Sequence, residues 1–216
     1  MLKIYGRATS VNVQKALWTL GELALPYERI DVGGQYGGLQ SPEFLAMNPH
    51  SRIPTIDDGG VVVWESNAIV RYLAARHGVG RLWIEDPGER AQADQWMDWM
   101  QTTLAPDFYD LFWQTVRIPK AQQRAAAIAD AAGRALRHYE LLDRQLAGRD
   151  FLLGAGFTLA DIPAGVTLHR YFAALDEGGL SRPSLPGLEA WYRRLQARPV
   201  YRQHVLTSYE PLRGRT

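Results

Sequence analysis

The chain of 216 residues contains no cysteine. Its absence excludes disulfides, thiolate metal centres and any mechanism that uses a protein thiol as nucleophile. No stretch approaches the ~18 consecutive apolar residues of a membrane span. The opening MLKIYGRATS lacks the apolar core and cleavage pattern of a signal peptide, so a soluble cytoplasmic protein with no membrane partner is expected. An excess of one charge sign is also missing. The 24 Lys and Arg nearly balance the 23 Asp and Glu, leaving +1, so no long-range field favours nucleic acid. The five histidines, at 50, 77, 138, 169 and 204, form no paired ligand motif, and no metal is expected. Internal repeats and low-complexity tracts are absent.

What is present is ordinary in bulk and rich in aromatics: 46% apolar residues, seven Trp and ten Tyr. Residues 1–78 read as mixed α/β. LKIYG (2–6) and LPYERIDV (25–32) are strands around a helix over 11–24, with Val13, Ala16, Leu17, Leu20 and Ala24 at helical spacing. GGQYGG (33–38) is a loop, and Ser41-Pro42 opens a short helix over 42–47. RIPTID and VVVWE flank DDGG (57–60) as a hairpin, and a helix follows from Ser66 to about His77. Residues 79–88 read as a linker. Beyond it the pattern is all helical: 89–115 with a kink at Pro106, 120–147, one starting in FTLADIPAG (157–165), and one in 184–199.

Three separate stretches, YGRATSVNVQKALW (5–18), NPHSRIPTIDDGGVVVWESNAIVRYLA (48–74) and TLADI (158–162), make the chain resemble the cytosolic glutathione transferases. The bacterial theta-like and nu-like classes are nearest, because Ser10 and Asn12 stand where some classes use Tyr. The resemblance implies a thioredoxin-like, glutathione-binding α/β domain over 1–80, then an all-α domain over 87–216 that contributes an electrophile pocket. It also implies a homodimer, no bound cofactor with glutathione as co-substrate, and conjugation of the glutathione thiolate to small hydrophobic electrophiles. A glutathione-dependent peroxidase or disulfide reductase, and a non-enzymatic ligand carrier, are the alternatives on the same fold.

Glutathione brings the thiol the chain lacks. A free thiol has a pKa near ~8.5, and lowering it by about two units requires roughly 2.7 kcal/mol of thiolate stabilisation. Ser10, at the first strand-to-helix corner, is the first candidate donor to that sulfur; read without the resemblance it is a helix cap. Asn12 is the second candidate, otherwise a solvated first-turn residue, with Arg7 and Thr9 further out. Lys15, one turn on, is expected to support the loop or remain solvated.

The resemblance makes the Ile53-Pro54 bond cis, with the Ile53 backbone pairing the peptide as an added strand. Ser66 is expected to cap helix 66–77 and to take the γ-glutamyl carboxylate at the helix N-terminus, with Glu65 facing the ammonium and Asn67 a weaker partner. Gln40 and Arg52 are expected to reach the glycyl carboxylate; His50 is set aside as a loop histidine. Trp99, Thr103, Tyr109 and Trp113 are expected to form the electrophile pocket, with Phe108 and Phe112 as further candidates. Thr158 and Asp161 read as a structural capping box, with Phe157 and Ile162 as its apolar staple.

Overall fold

Leu2 and Ile4 are buried and alternate with Lys3 and Tyr5, a two-residue period that makes Leu2–Tyr5 a strand, β1. The computed structural model describes residues 1–215. After helix α1 (Val11–Glu22), β2 (Tyr27–Ile30) returns parallel to β1. Strands β3 (Thr55–Asp58) and β4 (Val61–Trp64) add antiparallel on the other side, giving the order β2-β1-β3-β4. The β3–β4 turn needs two successive residues with positive φ, which Gly59 (+63°) and Gly60 (+97°) supply at no steric cost. The Gly60 N–H donates to Asp57 Oδ1 at 2.7 Å and closes that turn. Helix α2 (Pro42–Met47) starts where expected, its Ser41 Oγ accepting from the Phe44 N–H at 3.2 Å. Helix α3 (Ser66–His77) completes this half.

From Pro87 onward the chain is helical: α4 (Pro87–Trp99), α5 (Ala105–Phe112), α6 (Ala125–Gln145), α7 (Asp161–Glu177), α8 (Pro186–Ala197) and α9 (Pro199–His204). The kink expected at Pro106 takes another form. Pro106 has no N–H to donate to the preceding turn, and the chain accommodates this with a wide π turn over Met100–Leu104; a second π turn follows α5 over Trp113–Arg117. No described helix is long and apolar enough to cross a membrane.

The two halves are joined along α1, which packs on α3 within its own half and on α7 and α9 of the helical half. Trp18 is fully buried there, 4.8 Å from the Tyr201 ring and 5.3 Å from Phe157. The approach is close enough to demand small residues. A Cβ on Gly21 would meet Val200 Cγ1 at 2.3 Å, and one on Gly165 would meet Trp18 at 2.9 Å.

Asp161 fastens the start of α7. Its Oδ2 accepts from the Thr158 N–H (3.0 Å) and hydroxyl (3.3 Å), and its Oδ1 from the Leu152 N–H and Trp191 Nε1 (both 3.0 Å). The expected capping box is not formed, since Ala160 takes the N-cap position and Asp161 is the first helical residue; the carboxylate instead ties the preceding loop to α8 through Trp191. Burial pushes the carboxyl pKa up to about 6, against the pull of these four donors. Asp161→Asn turns an NH2 toward donors that need an acceptor. We expect it to cost about 2–4 kcal/mol in denaturant unfolding. A folded variant of parental stability would show that the four bonds are not what holds this corner.

Candidate functional site

A polar crevice opens where α1, the segment before β3 and the start of α3 converge, lined by Asn12, Asn48, His50, Arg52, Ile53, Pro54, Glu65, Ser66 and Gln101. The Ile53-Pro54 bond is cis. The β3 ladder begins only at Thr55, so Ile53 lies before it and lines the crevice. Asn48 fixes this segment from below, its Nδ2 donating to Arg52 O (2.8 Å) and Thr55 Oγ1 (3.0 Å).

One expectation shifts at α3. The N-cap residue is Glu65, and Ser66 is the first helical residue, buried rather than exposed. Glu65 has φ +69° and ψ 117°, a conformation an L residue adopts at a cost of about 1–3 kcal/mol. Its side chain makes no capping bond, so its carboxylate stands at the rim of the crevice. The first N–H groups of α3 have no intrahelical acceptor and make the crevice floor an anion site.

Lys15 overturns its reading as a solvated or loop-supporting residue. It is fully buried, because α1 packs on α3 and α7 at this level. Its Nζ donates to Ser66 Oγ (3.2 Å), Asn67 Oδ1 (3.3 Å) and Gln101 Oε1 (3.1 Å). The Ser66 hydroxyl receives from Lys15 and passes its own proton onward. It donates to Asn12 Oδ1 at 3.3 Å, and that oxygen also accepts from the Tyr109 hydroxyl at 3.2 Å. Two hydroxyl donors thus set the Asn12 amide, and its NH2 makes no bond among the described residues.

Above the crevice lies a larger cavity of about 430 Å³ between the halves, where Ser10 and Asn12 face Phe108, Tyr109, Phe112 and Trp113. Ser10 is the N-cap residue of α1 in position only; its hydroxyl makes no capping bond. Of the four residues expected here, the structure brings Tyr109 and Trp113 to the cavity and leaves out Trp99 and Thr103. Trp99 packs edge-on against Trp96 (5.4 Å) and near His138 (5.9 Å), and Thr103 is exposed beside Thr102. The π turn over 100–104 is the cause: it rotates α5 relative to α4, so one helical period cannot run through both. Gln40 is also apart from the crevice lining, its Nε2 donating to Ser51 Oγ at 2.8 Å. His50, set aside from the sequence, does line the crevice.

Residues that sequence reasoning missed are Asn48, Gln101, Arg117 and Arg170, the last two lining the larger cavity with Arg7 and Arg52. A signal existed for Arg170, a lone charge within the apolar run of α7. Among the described residues no group of three or more His, Asp or Glu could hold a metal ion.

Similarity to known proteins points the same way. A family model described as glutathione S-transferase, N-terminal domain, matches residues 1–75, and one described as the C-terminal domain matches 125–194. Glutathione S-transferase GstB of Escherichia coli (strain K12) is 39% identical over 208 residues, covering 95% of this chain and 98% of that protein. Glutathione S-transferase theta-1 of Rattus norvegicus is 30% identical over 181 residues, covering 80% and 73%. A theta class glutathione S-transferase from Xanthomonas axonopodis pv. citri, with glutathione bound, superposes with a TM-score of 0.89 at 44% identity, covering 96% and 98%.

Burial lowers the Lys15 pKa to about 7, with Glu65 pulling the other way. The unfolded chain therefore binds this proton between about pH 7 and 10.5 and the folded chain does not, so the residue makes stability rise with pH across that window. Lys15→Met should remove up to about 1.4 kcal/mol per pH unit of that slope between pH 7.5 and 9.5, measured by urea unfolding. Equal slopes in parent and variant would place the lysine charge in water.

Proposed function

The chain belongs to the glutathione S-transferase family, and on that footing we propose that it holds the sulfur of reduced glutathione ionised at Ser10 and Asn12. Its activity is glutathione transfer. In the proposed arrangement residues 1–80 take the tripeptide and 87–216 supply the wall that receives a small hydrophobic electrophile. The γ-glutamyl carboxylate lies on the free N–H groups of α3, the ammonium beside Glu65, and the peptide backbone along Ile53 before Pro54. Arg52 is left for the glycyl carboxylate, with His50 beside it. Gln40 can join only by releasing Ser51.

The observation that carries the reading is the set amide of Asn12. Its oxygen is satisfied by Ser66 and Tyr109, so what it offers the cavity is a donor, and the unbonded Ser10 hydroxyl offers a second. Two donors and the N-terminus of α1 favour a thiolate over a thiol. The thiol proton leaves to solvent. The thiolate then attacks the electrophilic carbon, a C–S bond forms, and the leaving group departs with its electron pair. Co-location of nucleophile and electrophile in one cavity supplies the rest of the rate.

Ser10→Ala and Asn12→Ala should each raise the pKa of bound glutathione by about one unit or more, read from ultraviolet thiolate absorbance against pH, and lower kcat/KM about tenfold or more near pH 6.5. If neither variant moves the bound thiol's pKa, sulfur activation lies elsewhere.

A cytoplasmic homodimer completes the proposal. Val61, Val62 and Trp64 stand exposed on β4, the edge strand of the sheet, and form an apolar strip that a second copy can cover. Sedimentation should give twice the chain mass, and Trp64→Lys should shift the population to monomer; a monomeric parent at micromolar concentration overturns the assignment.

A further inference from the structure

The cavity facing Ser10 and Asn12 is lined by four arginines, Arg7, Arg52, Arg117 and Arg170, and by no carboxylate. Arg170 is the unusual one. It projects from α7 and is only 2% exposed, yet its Nε and Nη2 have no partner. Its guanidinium sits 5.6 Å from the Phe112 ring. Arg117 has a second buried, unpartnered Nε and lies 5.1 Å over Trp113. Arg170 is the one buried arginine among the described residues, and neither it nor Arg7 nor Arg117 forms an ion pair there, whereas the arginines that do pair, such as Arg71, Arg134 and Arg198, are partly exposed.

A buried cation without a counter-charge is expensive and is found paired in folded proteins. Burial and the nearby Arg7 lower the Arg170 pKa to about 10, which leaves it charged at neutral pH. Among the described residues no side chain supplies the missing anion, and we assign it to a ligand. Glutathione does not account for it. In the proposed placement its two carboxylates lie in the polar crevice, at the start of α3 and beside Arg52, while Arg170 belongs to the opposite wall among Phe108, Tyr109 and Phe112. That wall is where the second substrate sits.

We propose that the electrophile taken by this enzyme is an aromatic compound bearing a carboxylate, its ring on the Phe108, Tyr109, Phe112 and Trp113 wall and its carboxylate paired with Arg170 and Arg7. The inference rests on the transferase reading above and adds the charge of the substrate to it. For a chloronitrobenzoate, the thiolate adds at the chlorine-bearing carbon, the C–S bond forms and chloride departs with the bonding pair. The arginine–carboxylate contact anchors the ring with its reactive carbon turned toward the sulfur. Because the pair is removed from water, it contributes far more than a surface ion pair would.

The test compares 4-chloro-3-nitrobenzoate with its neutral twin 4-chloro-3-nitrobenzamide, each rate divided by the uncatalysed rate with glutathione. The parent should favour the acid by about 30-fold or more, and Arg170→Met should lower the acid-to-amide ratio by a similar factor. Removing an unpaired buried charge should also leave the free protein equally or more stable to heat, which distinguishes ligand recognition from a structural role. Should Arg170→Met fail to fold, Arg7→Gln, on the other side of the cavity, reads the acid-to-amide ratio in its place, and an unchanged ratio there overturns the proposal. Equal enhancement of acid and amide in the parent overturns the proposal and leaves transfer intact, whereas no enhancement of either overturns the transferase reading itself. A titration showing two glutathiones per chain, one displaced by 4-nitrobenzoate, would give the arginines to a second tripeptide and also overturn it.

Discussion

The ammonium of Lys15 is the point from which the site is organised. It is fully enclosed, and it reaches three oxygens on two different elements, Ser66 and Asn67 of α3 and Gln101 at the π turn after α4. Because its Nζ donates to Ser66, the hydrogen bonds beyond it run outward from the amine. Ser66 must give its proton to Asn12, and Asn12 must present its oxygen to Ser66 and Tyr109. The side chain facing the cavity is thus set from below by a charge that no substrate touches. A buried amine that unites both halves is costly in isolation, and that cost is offset here by three oxygen acceptors around its nitrogen.

Much of this architecture was legible where the controlling interactions are local. The hairpin follows from Asp57 to Gly60, α2 from Ser41 and Pro42, and the α7 corner from Thr158 and Asp161, each within a few residues. The lower-lying strand order was not legible, because the pairing of β1 with β3 spans fifty residues and four-residue strands carry little pattern. The electrophile wall was half legible. Tyr109 and Trp113 reach the cavity while Trp99 and Thr103 do not, since a single helical period was carried through a π turn that resets the phase. Lys15 escaped for a different reason. Nothing in VNVQKALW says that a lysine will be covered; burial comes from α3 and α7, which the helix itself does not encode.

The two cavities divide the electrostatic work. The crevice holds groups of both kinds, Glu65 and the α3 N-terminus, suited to a zwitterionic end of a peptide. The space above is aromatic and cationic, with stacking surfaces and guanidinium groups interleaved. The boundary between them runs through Asn12 and Arg52, which line both. Reaction between two bound partners needs such a boundary, since the attacking atom must belong to one compartment and the attacked carbon to the other.

The tight seam at Gly21 and Gly165 limits how the molecule can move. With α9 pressed on one end of α1 and α7 on its middle, the first helix is shared property of both halves, and no slack remains along it for bending. A jaw-like closure over the ligands would first have to separate these contacts. The exposed side chains at the mouth of the cavity, Trp113 and Tyr109, are then the parts of its wall free to change rotamer as ligands pass.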